Sequence, residues 1–300
     1  MQPITQRAAI QNVLLWCARL TWAVLPITTG NAFTDALQHW STAPKIVAGI
    51  LLWAVWAAGL VALLAPRPWG LTLLRVAAPA ATLTTIVTVW STSSASASLA
   101  IGWSVLATAL ALAPPVSIAA GNSLAYGDEL RFPLRIPTPL LLLPVPLAVL
   151  LIAAGAVTGP LLIADEQFIA GVPALIVGWP LAAFLIRSLH ALSRRWLVLV
   201  PAGMVVVDPL ILTDPALMRR EQVVSIGRTV DDPSLARALD LRLGARHGSV
   251  TITLHEPYEF ARRVGRTGTA LAETDVVLVA PIQVTQMLEV AGTRRLAVRG

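Results

Sequence analysis

The sequence predicts a membrane-embedded all-α bundle of six transmembrane helices, followed by a C-terminal cytoplasmic β-rich domain that one α-helix closes. Three observations lead to this fold class. Hydrophobic residues make up 56% of the 300 residues and charged residues only 13%, which is too apolar for a soluble globular protein. Long uncharged stretches recur up to about residue 190, and short alternating stretches replace them afterwards. We therefore expect a transmembrane domain over residues 1–192 and a β-rich domain over residues 193–300.

The transmembrane helices follow from the lengths of the uncharged stretches. About 20 mostly apolar residues are needed to cross roughly 30 Å of hydrocarbon. The 52-residue stretch 76–127 is too long for one span, and the hydroxyl-rich STSSASAS at 91–98 suits a turn between two helices. The other spans are expected at 8–29, 46–65, 136–164 and 167–186. Because such stretches recur, the first is not expected to be a cleaved signal peptide.

The placement of arginine predicts the orientation in the membrane. Short cytoplasmic loops of membrane proteins carry an excess of Lys and Arg. Every second connection holds arginines, namely Arg7, Arg67, Arg131, Arg135, Arg187, Arg194 and Arg195, whereas the intervening connections hold only Lys45. We therefore expect a multi-pass plasma-membrane protein with both termini in the cytoplasm.

Short apolar stretches bounded by proline and glycine predict β-strands after residue 195. The first two are expected at 196–200 and 204–208. Apolar and polar residues alternate at 239–254 on both sides of GARHG, which predicts a hairpin with one buried face. A last strand is expected at 276–280. Val284, Met287, Leu288 and Ala291 then follow at helical spacing, and Gly292 is expected to cap that helix.

Two family resemblances accompany these patterns. Strands followed by one amphipathic helix, over about 195–292, resemble bacterial pleckstrin-homology-like domains through WLVLVPAGMVVVD, MRREQVVSI and PIQVTQMLEVA. The whole chain is similar to a family of uncharacterised multi-pass actinobacterial membrane proteins through RLTWAVLPITTGNAFTDAL, LLWAVWAAGLVALLAPRP and RRWLVLVPAGMVVVDPLILTDP. The second resemblance implies the membrane topology and no activity.

The motif content predicts no enzyme. The chain contains no phosphate-binding loop, dinucleotide fingerprint, H-E-x-x-H, C-x-x-C or G-x-S-x-G motif. Its four histidines are scattered and its single cysteine, Cys17, lies in the first span, so no metal, cofactor or disulfide is expected. Asp208 and Asp214, each before a proline, are interpreted as turn residues rather than catalytic carboxylates. The acidic pair Asp128 and Glu129 leaves a membrane-embedded transferase as a third possibility.

Arg19 is the candidate intramembrane polar site. Counting about 1.5 Å per residue from Arg7 puts it near the middle of the first span, where a guanidinium needs an acceptor and often marks a transport path. No acid lies inside a predicted span, so the acceptor is expected to be a carbonyl, a hydroxyl such as Thr84 or Thr85, a lipid phosphate or water. The other interpretation is that the helix is shifted and Arg19 lies near the surface.

The arginines of the tail are the candidate contacts for lipid or partner, with Arg194, Arg195, Arg219 and Arg220 in the leading place. Beside an anionic leaflet each basic residue contributes about 1 kcal/mol. Arg262, Arg263 and Arg266 belong to the same basic set, although ion pairs with Asp231, Asp232 or Glu259 are an equal alternative. Nucleic-acid binding is not expected, because the tail has 14 basic and 11 acidic residues and few aromatics.

The sequence is therefore most consistent with a non-enzymatic accessory or assembly protein. Its β-rich domain is expected to bind a protein partner of a membrane complex or anionic lipid headgroups. The alternative function is transport of a small solute or lipid through a polar site around Arg19.

Overall fold

The computed structural model describes residues 4–92, 97–230, 235, 237–265 and 268–299. They form two compact units. The helical unit comprises Met1–Ala120 and Pro144–His190, and the β unit comprises Gly121–Leu143 and Ala191–Gly300. The β unit thus includes a segment, 121–143, that the sequence analysis assigns to the transmembrane domain.

The helices have the following bounds. They are α1 (Ile4–Ala23), α2 (Leu25–Leu37), α3 (Thr42–Leu64), α4 (Pro68–Thr92), α5 (Ala97–Ala111), α6 (Pro114–Asn122), α7 (Thr138–Leu142), α8 (Pro144–Ala164), α9 (Phe168–Ser193) and α10 (Val284–Thr293). Among the described residues of the tail, α10 is the one α-helix, and a short strand follows it.

Five helical stretches of the described chain are long and apolar enough to cross a membrane. They are Ala9–Leu37, Thr42–Leu64, Pro68–Trp90, Thr138–Ala164 and Phe168–Ser193. The predicted number of six is reached only when Ser98–Ala111 and Pro114–Asn122, which are bent by 42° at their junction, count as one span. Of the predicted turn at 91–98, residues 93–96 lie outside the described residues.

The first span is longer than predicted, because α2 continues to Leu37 through a segment that is polar in sequence. Proline is tolerated at the start of a helix, and Pro26 occupies that place in α2. The hydroxyls of Thr29 and Thr34 donate to the carbonyls of Leu25 and Gly30, four residues earlier. These threonines satisfy their own hydrogen-bonding capacity, so they fit an apolar helix surface.

Two tryptophans hold α1 against α3. The indole N–H of Trp22 donates to the carbonyl of Trp56 at 2.9 Å, and that of Trp56 donates to the carbonyl of Trp22 at 3.1 Å. Trp22 is fully buried against Gly59, where an added Cβ would lie 2.2 Å from the indole ring. The buried indole groups are therefore satisfied, and only glycine leaves room for this packing.

The backbones of α8 and α9 meet at glycines. An added Cβ on Gly155 would lie 2.7 Å from the carbonyl oxygen of Gly178, and one on Gly159 would lie 2.8 Å from the backbone of Leu175. Small residues spaced by four allow membrane helices this close approach.

The described residues of the β unit form nine strands in two sheets. They are β1 (Leu130–Pro133), β2 (Trp196–Val200), β3 (Gly203–Val207), β4 (Ala216–Arg219), β5 (Val223–Arg228), β6 (Leu239–Asp240), β7 (Val250–Val264), β8 (Gly268–Val279) and β9 (Val298–Arg299). The sheet orders are β1-β2-β3-β4 and β6-β8-β7-β5-β9. Inward-facing residues of both sheets and of α10 form one hydrophobic core, so the two sheets pack around a single interior.

The segment 121–143 supplies the edge strand β1. β1 pairs antiparallel with β2, from Leu130 opposite Leu199 to Pro133 opposite Trp196. The side chain of Asn122 accepts from the N–H of Arg131 and donates to its carbonyl. A strand of four residues that ends in proline gives almost no pattern in the sequence. The sequence therefore predicts only a loop here.

Three predictions for the tail need correction. The stretch 239–254 is not a hairpin: β6 pairs in parallel with β8, whereas β7 lies between β8 and β5. The alternation itself is confirmed, since Val250, Ile252 and Leu254 are buried. The strand expected at 276–280 is the end of the longer β8, and β9 follows it. These errors share a cause, because alternation identifies a buried face but not the neighbouring strand.

The end of α10 also differs from the prediction. Gly292 lies within the helix, and Arg295 adopts the left-handed conformation with φ 60°. The N–H groups of Arg295 and Leu296 donate to the carbonyls of Gly292 and Ala291, each at 3.0 Å. This is a Schellman arrangement with arginine where glycine is usual, stabilised by the burial of Leu296.

Candidate functional site

Arg195 and Asp208 form a buried ion pair at the centre of the β unit. Both side chains have no exposed area, and Arg195 Nη2 and Nε lie 2.8 and 2.9 Å from Asp208 Oδ2. Arg195 also donates to the carbonyls of Leu241 and Arg135, and Asp208 Oδ1 accepts from the N–H of Leu210. A buried guanidinium needs such complete pairing. The prediction that Arg195 contacts lipid or a partner is therefore wrong, and the structural interpretation of Asp208 is supported.

The pair could have been found in the sequence. β2 and β3 form a hairpin in which Trp196 lies opposite Val207, so the next residues outward, Arg195 and Asp208, face each other. Leu197 and Leu199 are fully buried and share the phase of Arg195. Trp196 and Val198, of the other phase, are buried as well, so the strand shows no alternation. The signal in the sequence is the β2–β3 hairpin, which places an arginine opposite an aspartate.

The other three candidate contacts are exposed. Arg194 precedes the buried Arg195, and Arg219 and Arg220 stand at the end of β4, the outer strand of its sheet. Asp214 is exposed as well. Within the described chain no carboxylate forms an ion pair with Arg219 or Arg220. The pair therefore remains available to an anionic partner.

Arg19 finds a carbonyl, one of the acceptors predicted for it. Its Nε donates to the carbonyl of Leu63 at 3.1 Å, and its guanidinium carbon lies 4.7 Å from the ring centre of Trp16. Thr84 and Thr85 instead bond to carbonyls of their own helix. Leu63 is the penultimate residue of α3, and the last carbonyls of a helix have no partner within it. Arg19 therefore caps α3.

This contact indicates the depth of Arg19. Leu63 lies ten residues from the middle of α3, which corresponds to about 15 Å along the axis, or half of the hydrocarbon thickness. Arg19 is therefore level with the end of α3, although it lies only four residues from the midpoint of its own span, Ala9–Leu37.

We expect Arg19→Leu to destabilise the helical unit modestly. Loss of the bond to Leu63 should cost about 1 kcal/mol, which lowers Tm by about 2–4 °C for a unit of this size. Thermal unfolding in detergent measures the shift in Tm. Arg19→Lys should lower Tm by less, because lysine can still donate to the carbonyl of Leu63. Unchanged stability together with loss of solute uptake in proteoliposomes would contradict the capping role and favour transport.

The acidic pair considered for a transferase has structural contacts. Glu129 forms an ion pair with Arg131 at 3.1 Å and accepts from the N–H of Tyr126. The carbonyl of Asp128 accepts a hydrogen bond from Arg294. Among the described residues no group of three His, Cys, Asp or Glu side chains could hold a metal ion. The carboxylate of Glu129 thus helps to fix the segment before β1, whereas Asp128 takes part through its backbone carbonyl.

A second ion pair lies at the surface of the β unit. Arg242 donates to both carboxylate oxygens of Asp240, at 2.9 and 2.8 Å. Partial burial acts to raise the pKa of Asp240, but the side-chain and backbone hydrogen bonds from Arg242, with its charge, outweigh this and hold the pKa below its usual value. Arg242 also reaches Ser249. The pair therefore stabilises the turn that follows β6.

Comparisons with protein-family models, with curated proteins and with solved structures find no match to the chain.

Proposed function

We propose that the protein is a non-enzymatic accessory or assembly protein of the plasma membrane, with the β unit as its cytoplasmic binding module. The observation that carries this proposal is the division of charge in the β unit. Arg195 and Asp208 form an ion pair inside the core. Arg219 and Arg220 are exposed at the end of an outer strand. Exposed arginines without an ion-pair partner can steer and orient an acidic partner.

The element order supports the proposed likeness to pleckstrin-homology-like domains. A four-stranded antiparallel sheet and the antiparallel strands β5, β7 and β8 precede α10. The chain departs from the order of such domains in β1, which precedes α7, and in the parallel edge strands β6 and β9. Such an arrangement is a scaffold that presents loops and edges, and function is then decided by the surface. In this protein the exposed arginine pair at β4 fits an acidic segment of a membrane-complex partner.

Transport is the alternative, and the contacts of Arg19 do not favour it. Its guanidinium bonds to the end of α3 and stacks on Trp16, so it is engaged in helix capping. An arginine of a transport path is expected to face a hydrated cavity or a charged partner.

The test compares the full-length protein with two charge-reversal variants, each extracted from native membranes in mild detergent. Arg219→Glu with Arg220→Glu removes the proposed contact, and Arg246→Glu is the control at another exposed arginine of the β unit. Bound proteins and lipids are identified by mass spectrometry. We expect a stoichiometric protein that the double variant loses and the control retains.

Each other outcome has a distinct meaning. A partner retained by both variants would reject the arginine pair as the contact. Loss of anionic lipid alone would identify headgroups as the ligand in place of a protein. A pure protein that binds neither, and that takes up a solute after reconstitution, would overturn the accessory function.

A further inference from the structure

The distal half of the hairpin formed by β7 and β8 exposes both apolar and basic side chains. We define the distal hairpin as 258–264 and 268–274, which pair from Tyr258 opposite Thr274 to Val264 opposite Gly268. β5 pairs with β7 only up to Leu254, so this half extends past its own sheet. Phe260 is buried in the core, and the residues beyond it form the tip.

The tip combines apolar and basic side chains. Val264 is 55% exposed and Leu271 67% exposed, and the residues from 262 to 265 and from 268 to 271 are all exposed. In the register, Arg262 and Val264 share one face of the ladder, whereas Arg263 and Leu271 share the other. Each face therefore carries one large apolar side chain and one arginine.

The charge of the tip has one sign. Its described residues, 260–265 and 268–272, include Arg262 and Arg263 and no acid. Glu259 and Glu273, which lie opposite each other, mark the base of the tip. Apolar side chains beside arginines are the composition of segments that enter the interface of an anionic bilayer, since the apolar groups reach the acyl boundary while guanidinium groups bind phosphates.

The tip is held in place before any contact forms. The N–H of Thr213 donates to the carbonyl of Ala261 at 2.9 Å, and that of Arg263 donates to the carbonyl of Ile211 at 2.7 Å. This flanking segment begins at Asp208, whose backbone carbonyl accepts from the N–H of Leu212. Because β7 is bonded to β8 on one edge and to this segment on the other, the tip loses little conformational entropy on docking, which favours binding.

We propose that the distal hairpin docks into the anionic leaflet of the membrane in which the protein is embedded. Val264 and Leu271 enter the interface, and Arg262 and Arg263 contact lipid phosphates. Two features favour the bilayer as the occupant. The basic tip is complementary in charge to anionic lipids, and only two residues separate the end of α9 from β2. A tethered site meets its surface at a high effective concentration. The proposal concerns a surface other than the arginine pair at β4, so it does not depend on the proposed function.

The experiment places a fluorophore at the tip of the full-length protein in nanodiscs that hold one copy each. Cys17→Ser removes the only native cysteine, and Val264→Cys or Leu271→Cys carries an environment-sensitive dye. His247→Cys, at another exposed position of the β unit, is the control. Quenching by lipids with a nitroxide near the headgroup is measured with and without phosphatidylglycerol.

We expect both tip dyes to be quenched in phosphatidylglycerol nanodiscs and the dye at residue 247 to be unaffected. Each arginine beside an anionic leaflet contributes about fivefold, so Arg262→Glu with Arg263→Glu should lower the docked fraction relative to the free fraction by about thirtyfold or more. Arg246→Glu should leave the docked fraction unchanged. Arg262→Lys with Arg263→Lys should keep it near that of the unsubstituted protein. Hydrogen exchange of β5 and β7 up to Leu254 must be the same in all variants, which shows that the unit is folded.

Two results would overturn the proposal. Tip dyes that remain unquenched in phosphatidylglycerol nanodiscs, with the unit folded, would show that the tip stays in water. Protection of the dyes in crowded proteoliposomes but not in single-copy nanodiscs would show that a second copy of the chain covers the tip.

Discussion

Asp208→Asn is expected to destabilise the β unit by about 3–5 kcal/mol, because it leaves the buried charge of Arg195 without its counter-charge. Asparagine can still accept the N–H of Leu210, so the turn survives and the loss reports the charge. Hydrogen exchange of peptides from β2, β3 and β4 in the full-length protein measures the effect. It should rise across all three strands, since the ion pair closes the hairpin of β2 and β3.

The control for this experiment is Asp214→Asn. Asp214 also precedes a proline but is exposed, so its replacement should change stability by less than about 0.5 kcal/mol. Replacing both partners, as Arg195→Met with Asp208→Leu, should cost less than either single change, because no uncompensated charge remains. Equal effects of Asp208→Asn and Asp214→Asn would contradict the role assigned to the pair.

A fragment of residues 191–300 is expected not to fold by itself. It lacks β1, whose Phe132 belongs to the core together with Leu134, and it lacks the carbonyl of Arg135 that Arg195 binds. Loss of one buried Phe or Leu side chain already costs about 2–5 kcal/mol, which approaches the whole stability of a domain. A poorly dispersed ¹H–¹⁵N spectrum is the expected result.

The matched fragment restores β1 without the helices. Pro133 lies opposite Trp196 at the end of the β1–β2 ladder, so a short Gly/Ser linker from residue 136 to residue 193 can replace α7, α8 and α9. This fragment should give a dispersed spectrum, and Phe132→Ser with Leu134→Ser should abolish the dispersion. Equal dispersion with and without β1 would show that the strand is dispensable.

The parts of the fold that could be predicted are those with a strong local signal. β2 matches its predicted bounds, 196–200, because five apolar residues between an arginine pair and a proline form a clear strand. The apolar face of α10 is confirmed, since Val284, Met287 and Ala291 are buried. Five of the six predicted spans are likewise found as long apolar helices, whereas the stretch Ser98–Asn122 is two helices bent by 42° at their junction.

The parts that could not be predicted depend on partners distant in sequence. β6 has two residues and pairs with β8, some forty residues away, and no local pattern encodes such a choice. Arg19 could be identified as unusual, but its acceptor at the end of α3 follows from helix packing. The sequence predicts Arg195 at the surface because a charged residue is rarely buried. Its burial becomes possible only because the β2–β3 hairpin places Asp208 opposite it.

The pairing of β1 with β2 has a consequence for biosynthesis. β1 is translated before α8 and α9, whereas β2 is translated after them. At about 5–20 residues per second, β1 therefore remains unpaired for several seconds. Hydrogen-bonded strands must lie on one side of the bilayer, so the chain between them has to cross an even number of times. A chain in which only one of α8 and α9 is inserted leaves Phe132 and Leu134 uncovered. Completion of the sheet thereby reports correct insertion of the last two helices, and a misinserted chain presents an open strand edge to cellular proteases.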